Sequence, residues 1–244
     1  MTLAVLNFLV NTAVDSDYFR DYSGNLCQQL EFEILDDGLI VKLIQQPDNI
    51  VFKHSYLEHH FFKRAQLSNQ ALLKACNNKQ RNIKSILDLT GGWGMDSFIL
   101  ACHGHELTSI EKNLLVHRIS AHSLNCARAI KRSAAAASRI TMILNDSADY
   151  LLSHEDANSF DCIYLDPMFP DHKSSAKSAK GLQILQKLTQ NEDIQICFEI
   201  ALQKAKKRVV VKRPAKSSTI SDLRPDLVYR EKTVRFDVYL NPNM

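Results

Sequence analysis

The stretch from Ile86 to Ala101 limits what this chain can fold into more than any other. It opens on a short apolar run, breaks at Gly91, Gly92 and Gly94, and continues with apolar residues at helical spacing. That order reads as a buried parallel strand feeding a helix. Glycines between them let bare backbone come against a ligand, because no Cβ holds it off. Strand, glycine turn and helix N-terminus together make a seat for a nucleotide-like ligand.

Two cofactor classes use such a turn. The dinucleotide fingerprint G-x-G-x-x-G needs a third glycine, and Ser97 stands there instead. The alternative is the S-adenosylmethionine turn, an acidic residue at the strand end followed by a dense glycine cluster. Asp88 followed by Gly91, Gly92 and Gly94 has that form, with Thr90 where a glycine is common. The cationic sulfonium and amino groups of such a cofactor are expected to face Asp88.

Downstream the pattern alternates. Strands are expected at 86–90, 106–111, 140–145, 161–166 and 208–212, and helices at 96–103, 116–132, 148–154, 177–188 and 194–206. This predicts an α/β fold with a doubly wound, mostly parallel sheet. Two further strand runs, 226–231 and 233–240, predict an antiparallel hairpin beside it. That ending is a habit of the Rossmann-like methyltransferase fold rather than of the dinucleotide fold. Upstream, runs 30–35 and 39–44 flank Asp36, Asp37 and Gly38, a hairpin signal, and 50–52 is a candidate third strand. Residues 1–52 are expected to form a small β-rich region and 53–244 the methyltransferase domain. Within the latter, 57–76 shows mostly helical spacing.

Composition excludes several classes. Apolar content of 45% with 23% charged residues is that of a water-soluble chain, and no apolar run reaches the ~20 residues of a membrane span. The apolar N-terminus lacks a basic segment and a cleavage site, so no signal peptide is expected. The six cysteines are spread singly with no C-x-x-C pair, which points to reduced thiols and a cytoplasmic setting. His59 and His60 adjoin without further residues at ligand spacing, so no metal site is expected.

Three further positions carry chemistry. Glu111 closes the second strand about 20 residues beyond the first glycine, where an acidic side chain reaches ribose hydroxyls. Lys112 follows it and would border the adenosine. Asp146 and Ser147 close the third strand, where an acidic residue can accept from the adenine amine or, equally, cap the next helix. The fourth strand ends in Asp166-Pro167-Met168-Phe169-Pro170, with two prolines to stiffen the turn. An (Asp/Asn)-Pro-x-(Phe/Tyr) turn suits methyl transfer to a planar exocyclic amine, whose lone pair is delocalised into its ring. The Asp166 carboxylate and a backbone carbonyl would accept the two N–H bonds and aim the lone pair, and Phe169 would stack on the base.

Four segments together, 88–98 (DLTGGWGMDSF), 165–170 (LDPMFP), 207–214 (KRVVVKRP) and 235–239 (RFDVY), resemble the bacterial ribosomal RNA small subunit methyltransferase J family. The resemblance runs from about Asn49 to the C-terminus. It implies S-adenosylmethionine as cofactor and methylation of the N2 of a guanosine in 16S ribosomal RNA, as naked RNA or in the small subunit. It also implies cofactor contacts at Met95 and Asp96, Glu111 and Lys112, Asp146 and Ser147, and Asp166. Met95 stands where the family often has Arg, and Asp146 where it has a small or hydroxyl residue. Basic residues after the turn and around the fifth strand, Lys173, Lys177, Lys212 and Arg213 among them, are expected to meet RNA phosphates. The residues alone leave open a different amine substrate (adenine N6, a protein or a small molecule) or a non-catalytic ribosome-binding module.

Overall fold

The structure, a computed structural model, describes residues 30–77, 82–153, 159–168, 179–189 and 194–241. The first 29 residues of the expected N-terminal region, and Phe169, Lys173 and Lys177, lie outside the described residues.

The described residues begin with strands β1 (Leu30–Leu35), β2 (Gly38–Leu43) and β3 (Ile50–His54), which pair antiparallel in the order β1-β2-β3. Two short helices follow, α1 (His59–Ala65) and α2 (Ala71–Cys76). The sequence reads as helical across this whole stretch. The break comes at 66–70, where Gln70 Nε2 donates to the carbonyls of Arg64 and Leu67 and ends the first helix.

The remaining elements are β4 (Ser85–Asp88), α3 (Met95–Cys102), β5 (Glu106–Glu111), α4 (Leu114–Ala129), α5 (Lys131–Ala137), β6 (Ile140–Leu144), α6 (Ser147–Ser153), β7 (Cys162–Leu165), α7 (Lys180–Leu188), α8 (Ile194–Lys204), β8 (Arg208–Pro214), β9 (Leu227–Arg230) and β10 (Val234–Leu240). They form a seven-stranded sheet of order β6-β5-β4-β7-β8-β10-β9. Its first four pairings are parallel, and β10 runs antiparallel to both β8 and β9. The expected helix at 116–132 is two helices, because Ile130 adopts extended backbone (φ −105°, ψ 119°) between α4 and α5.

The inner strands are buried on both faces, and the period of 2 sorts their side chains. Ile86, Cys162, Tyr164, Val210, Phe236 and Val238 join the core under α1 to α5. Leu87, Ile163, Leu165, Val209, Val211 and Tyr239 join the opposite core under α6 and α8. A third core packs Leu39, Val41 and Leu43 of the small sheet against α4, α7 and Trp93 of the glycine turn. The small sheet is therefore seated over the turn rather than standing apart from it.

Strand β4 is bounded by β5 on one side and β7 on the other, and the chain crosses over in opposite directions from it. Ligands of open α/β sheets bind at the carboxyl edge of such a switch point. Every candidate site residue the structure describes lies at that edge.

Candidate functional site

The glycine turn is tied down from both sides. Gly91 N–H donates to Ile110 O at 2.8 Å, and Gly94 N–H donates to Gly91 O at 2.7 Å. A Cβ on Gly91 would lie 2.6 Å from Ser109 Oγ and 2.9 Å from Ile110 O, so the turn sits directly on β5. Trp93 carries the turn outward: its indole N–H donates to Gly181 O at 2.9 Å, and its carbonyl accepts from the Tyr56 hydroxyl at 2.9 Å. The helix that returns after the Asp-Pro turn is thus fastened to the glycine turn.

Asp88 lies beneath, 2% exposed. Its Oδ1 accepts from Thr90 N–H at 3.0 Å and its Oδ2 from Ser97 Oγ at 2.6 Å. Ser97, the residue that breaks the dinucleotide fingerprint, therefore serves to hold the acid of this one. Burial pushes the Asp88 carboxyl up to about 6, opposed by the Ser97 and Thr90 hydrogen bonds and reinforced by the nearby Asp96 and Asp166 charges. Below about pH 6 the folded protein therefore holds a proton that the unfolded chain releases at its ordinary value. The stabilisation from this group is complete below that ordinary value and is lost as pH rises through about 6. Asp88→Asn removes the titration. Relative to wild type, the variant should gain about 3 kcal/mol between about pH 3.5 and pH 7, because each tenfold difference in proton affinity between the folded and unfolded chain is worth about 1.4 kcal/mol. Urea melts of both proteins across that range measure it, and a difference independent of pH would contradict the assignment.

Glu111 is 7% exposed at the end of β5. Its Oε2 accepts from Gly92 N–H at 2.8 Å and its Oε1 from Asn113 N–H at 2.7 Å. A carboxylate offers about four acceptor positions. The acid expected to meet a ribose also fastens the glycine turn, a role its spacing does not reveal. Lys112 is half-buried beside it. Asp146 Oδ1 accepts from Ala148 N–H at 2.9 Å, which is the helix-capping role for α6, and Ser147 Oγ donates to Leu89 O. The Ser147 bond ties the third strand's end to the end of β4.

The Asp-Pro turn joins the same cluster through the backbone. Leu89 N–H donates to Tyr164 O at 3.0 Å, and Asp166 N–H donates to Thr90 Oγ1 at 2.6 Å. Thr90 replaces a common glycine and supplies the hydroxyl that connects the two turns. Pro167 is buried behind Asp166. Met95 and Asp96 open α3, and Asp96 Oδ2 accepts from Tyr164 Oη at 2.6 Å.

Two residues expected on an RNA-facing surface are turned inward. Lys212 Nζ lies 2.7 Å from Asp96 Oδ2 and 2.8 Å from Asp166 Oδ2. Arg213, on the opposite face of β8, is 8% exposed, and its guanidinium donates to the carbonyls of Ser218 and Thr219. Neighbouring Arg208 is fully buried and donates to Ala75 O at 2.7 Å. A basic run on an inner strand is buried with the strand. Lys180 and Lys216 are exposed. Among the described residues, no helix is long and apolar enough to cross a membrane.

Comparison with known proteins agrees with this geometry. A family model described as "Putative SAM-dependent methyltransferase" matches residues 26–241, beginning upstream of the small sheet. Ribosomal RNA small subunit methyltransferase J of Francisella philomiragia subsp. philomiragia is 33% identical over 223 residues, 86% of this chain and 92% of that relative. The protein of the same name from Francisella tularensis subsp. novicida is 30% identical over 226 residues, 85% of this chain and 93% of that relative. Among solved structures, a SAM-dependent methyltransferase from Neisseria gonorrhoeae superposes with a TM-score of 0.65 at 26% identity, over 85% of this chain and 81% of that one. With its switch-point glycine turn, its reversed final strand and these relatives, the chain belongs to the S-adenosylmethionine-dependent methyltransferases, in the family of ribosomal RNA small subunit methyltransferase J.

Proposed function

We propose that the protein methylates the N2 of a guanosine in small-subunit ribosomal RNA, a reaction that belongs in the cytoplasm. The observation that carries the reading is the placement of Asp166. It ends β7 at the switch point, one hydrogen bond from the glycine turn, with one carboxylate oxygen paired to a cation. The RNA substrate is supported by the name shared by the Francisella relatives.

The residues present suit S-adenosylmethionine. Gly91 leaves no room for a side chain between the turn and β5. Gly92 is half-exposed at the mouth of α3, with the Glu111 carboxylate bonded to its N–H. In this reading Gly91, Gly92 and Gly94 pass backbone along the cofactor, Glu111 accepts from its ribose, Lys112 borders the adenosine, and Asp146 and Ser147 flank the adenine. Met95 and Asp96 lie toward its methionine end, with Asp88 beneath the turn. The bound cofactor supplies an electrophilic methyl carbon on a sulfonium. The chain's task is then positioning. Asp166 Oδ1 accepts one N–H of the amine while Oδ2 stays with Lys212, and Pro167 keeps the turn from yielding. Phe169 is assigned the stacking role, and Lys173 and Lys177 the nearby phosphates. Asp166 accepts the proton that N2 releases as its lone pair is committed to the new bond.

The test is mass spectrometry of nucleosides after the purified protein is incubated with S-adenosylmethionine and either 16S RNA or small subunits lacking the modification. The expected product is N2-methylguanosine in at least one arm. N6-methyladenosine, or no methylated nucleoside in either arm, would refute the proposal.

A further inference from the structure

Lys212 is a cation shared by two carboxylates at the site, and its surroundings explain why it is there. Leu165 pairs with Val211, so the residues that follow them, Asp166 and Lys212, emerge side by side from β7 and β8. Lys212 has the same strand parity as Val210 and so points to the α3 side of the sheet, where Asp96 sits in the first turn. The ammonium closes a chain of contacts from Tyr164 Oη to Asp96 Oδ2 (2.6 Å), to Lys212 Nζ (2.7 Å), to Asp166 Oδ2 (2.8 Å). The lysine and Asp96 side chains are 22% and 21% exposed, and that of Asp166 is 36% exposed. In this partly buried place, ionising both carboxylates without a cation between them would be disfavoured.

We infer that Lys212 is a positioning residue for methyl transfer: it holds the Asp166 carboxylate in one orientation and keeps it an acceptor, while Asp96 and Tyr164 fix the ammonium. This rests on the reading of Asp166 as the amine's acceptor. The alternative of a phosphate contact is disfavoured because the ammonium already has two carboxylate partners.

Among the described residues, the groups acting on Asp166 are Lys212 from β8, Asp96 from α3, Asp88 from β4 and Tyr164 from its own strand, with Arg64 of α1 acting on Asp96. Burial pushes the Asp166 carboxyl up; Lys212 opposes the rise and Asp96 adds to it. Burial also acts on Asp96, but Lys212 and the Tyr164 hydroxyl outweigh it and hold that carboxyl below its ordinary value. Burial works against the charged lysine too, yet the two carboxylates hold its proton more firmly than usual. On acidification Asp166 is therefore the first of the pair to take a proton. A protonated Asp166 would present an O–H donor to an amine that is itself a donor. Without the lysine that failure should arrive at higher pH.

Two readouts test this in the full-length chain. The first is 13C-carboxylate NMR titration without added cofactor, with the Asp166 signal assigned by its loss in Asp166→Asn. The second is the pH dependence of the single-turnover rate. Lys212→Met should raise the Asp166 midpoint by about one pH unit or more and carry the acid limb of the rate with it. The variant's rate deficit should then grow as pH falls and approach about tenfold below both midpoints. Lys212→Arg, which keeps the charge, should leave the limb near its wild-type place. Asp96→Asn, which removes the like charge and keeps the lysine, should lower the Asp166 midpoint, and it tests the network even if Lys212→Met fails to fold. Midpoints unmoved in both Lys212→Met and Asp96→Asn would overturn the inference, as would a Lys212→Met defect confined to RNA affinity and its salt slope. If the midpoints shift as expected but wild type makes no N2-methylguanosine, the carboxylate network stands and the proposed reaction falls.

Discussion

Asp166→Ala should lower the single-turnover rate of guanine methylation by about 10²–10³, the size of effect seen when one preorganised polar partner is removed from a reacting group. An exocyclic amine needs little acid–base strength from the protein. It needs its two N–H bonds held so that the lone pair leaves conjugation with the ring and faces the methyl carbon. Asp166 is equipped for that. Its backbone N–H is anchored to Thr90, one carboxylate oxygen is anchored to Lys212, and a buried proline follows. Truncation to alanine keeps the backbone anchor, so the turn and the sheet should persist. It also frees Lys212, which retains Asp96 as a partner. The defect should thus fall mainly on the rate and less on affinity for S-adenosylhomocysteine, measured by calorimetry. In the proposed reaction the target base leaves its stack to reach this turn, and that cost is the same in both proteins. A wild-type rate in Asp166→Ala would reduce the turn to a strand terminator.

Gly94→Ala should destabilise the fold by about 4 kcal/mol, a size reserved for substitutions with a specific steric cause. Gly94 sits at φ +68° as the N-cap of α3, where an L side chain costs about 1–3 kcal/mol. Its Cβ would also run into the Tyr56 hydroxyl. That phenol cannot swing aside. It is 1% exposed, its ring stacks on Phe98 at 4.7 Å, and its hydroxyl donates to Trp93 O. Overpacking of this kind adds about 1–3 kcal/mol. The obstructing atom is the hydroxyl oxygen, so Tyr56→Phe should relieve part of the clash. The double variant should be about 1–2 kcal/mol more stable than the two single effects add up to, as expected for residues in contact. Urea denaturation of the four proteins closes the cycle. A Gly94→Ala cost below about 1 kcal/mol would mean that the turn has room to spare.

The local pattern determined much of this protein. The strands expected from Ile86 onward formed within a few residues of their expected ends, because the inner ones carry short apolar runs that are buried on both faces of the sheet. The glycine turn and the terminal hairpin were equally legible, since both depend on residue types at short range. The hairpin at Gly38 and the third strand at Ile50 followed the same logic. Where the apolar spacing suggests single long helices, at 57–76 and 116–132, the breaks come from backbone and side-chain bonds that periodicity does not encode.

What the tertiary structure decided is the partner of each charged side chain at the carboxyl edge. In the sequence, Lys212 and Arg213 are two members of a basic run and look alike. In the sheet, alternation sends one toward α3 and the other to the opposite face, and the pairing of Leu165 with Val211 delivers Lys212 to Asp166, 46 positions away. The same holds for Glu111, whose oxygens meet Gly92 and Asn113, for Thr90, whose hydroxyl meets Asp166, and for Ser97, which meets Asp88. A residue's type and local spacing set which face it can occupy. Which charge waits on that face depends on strand order and register, and those are set by contacts between segments far apart in the chain.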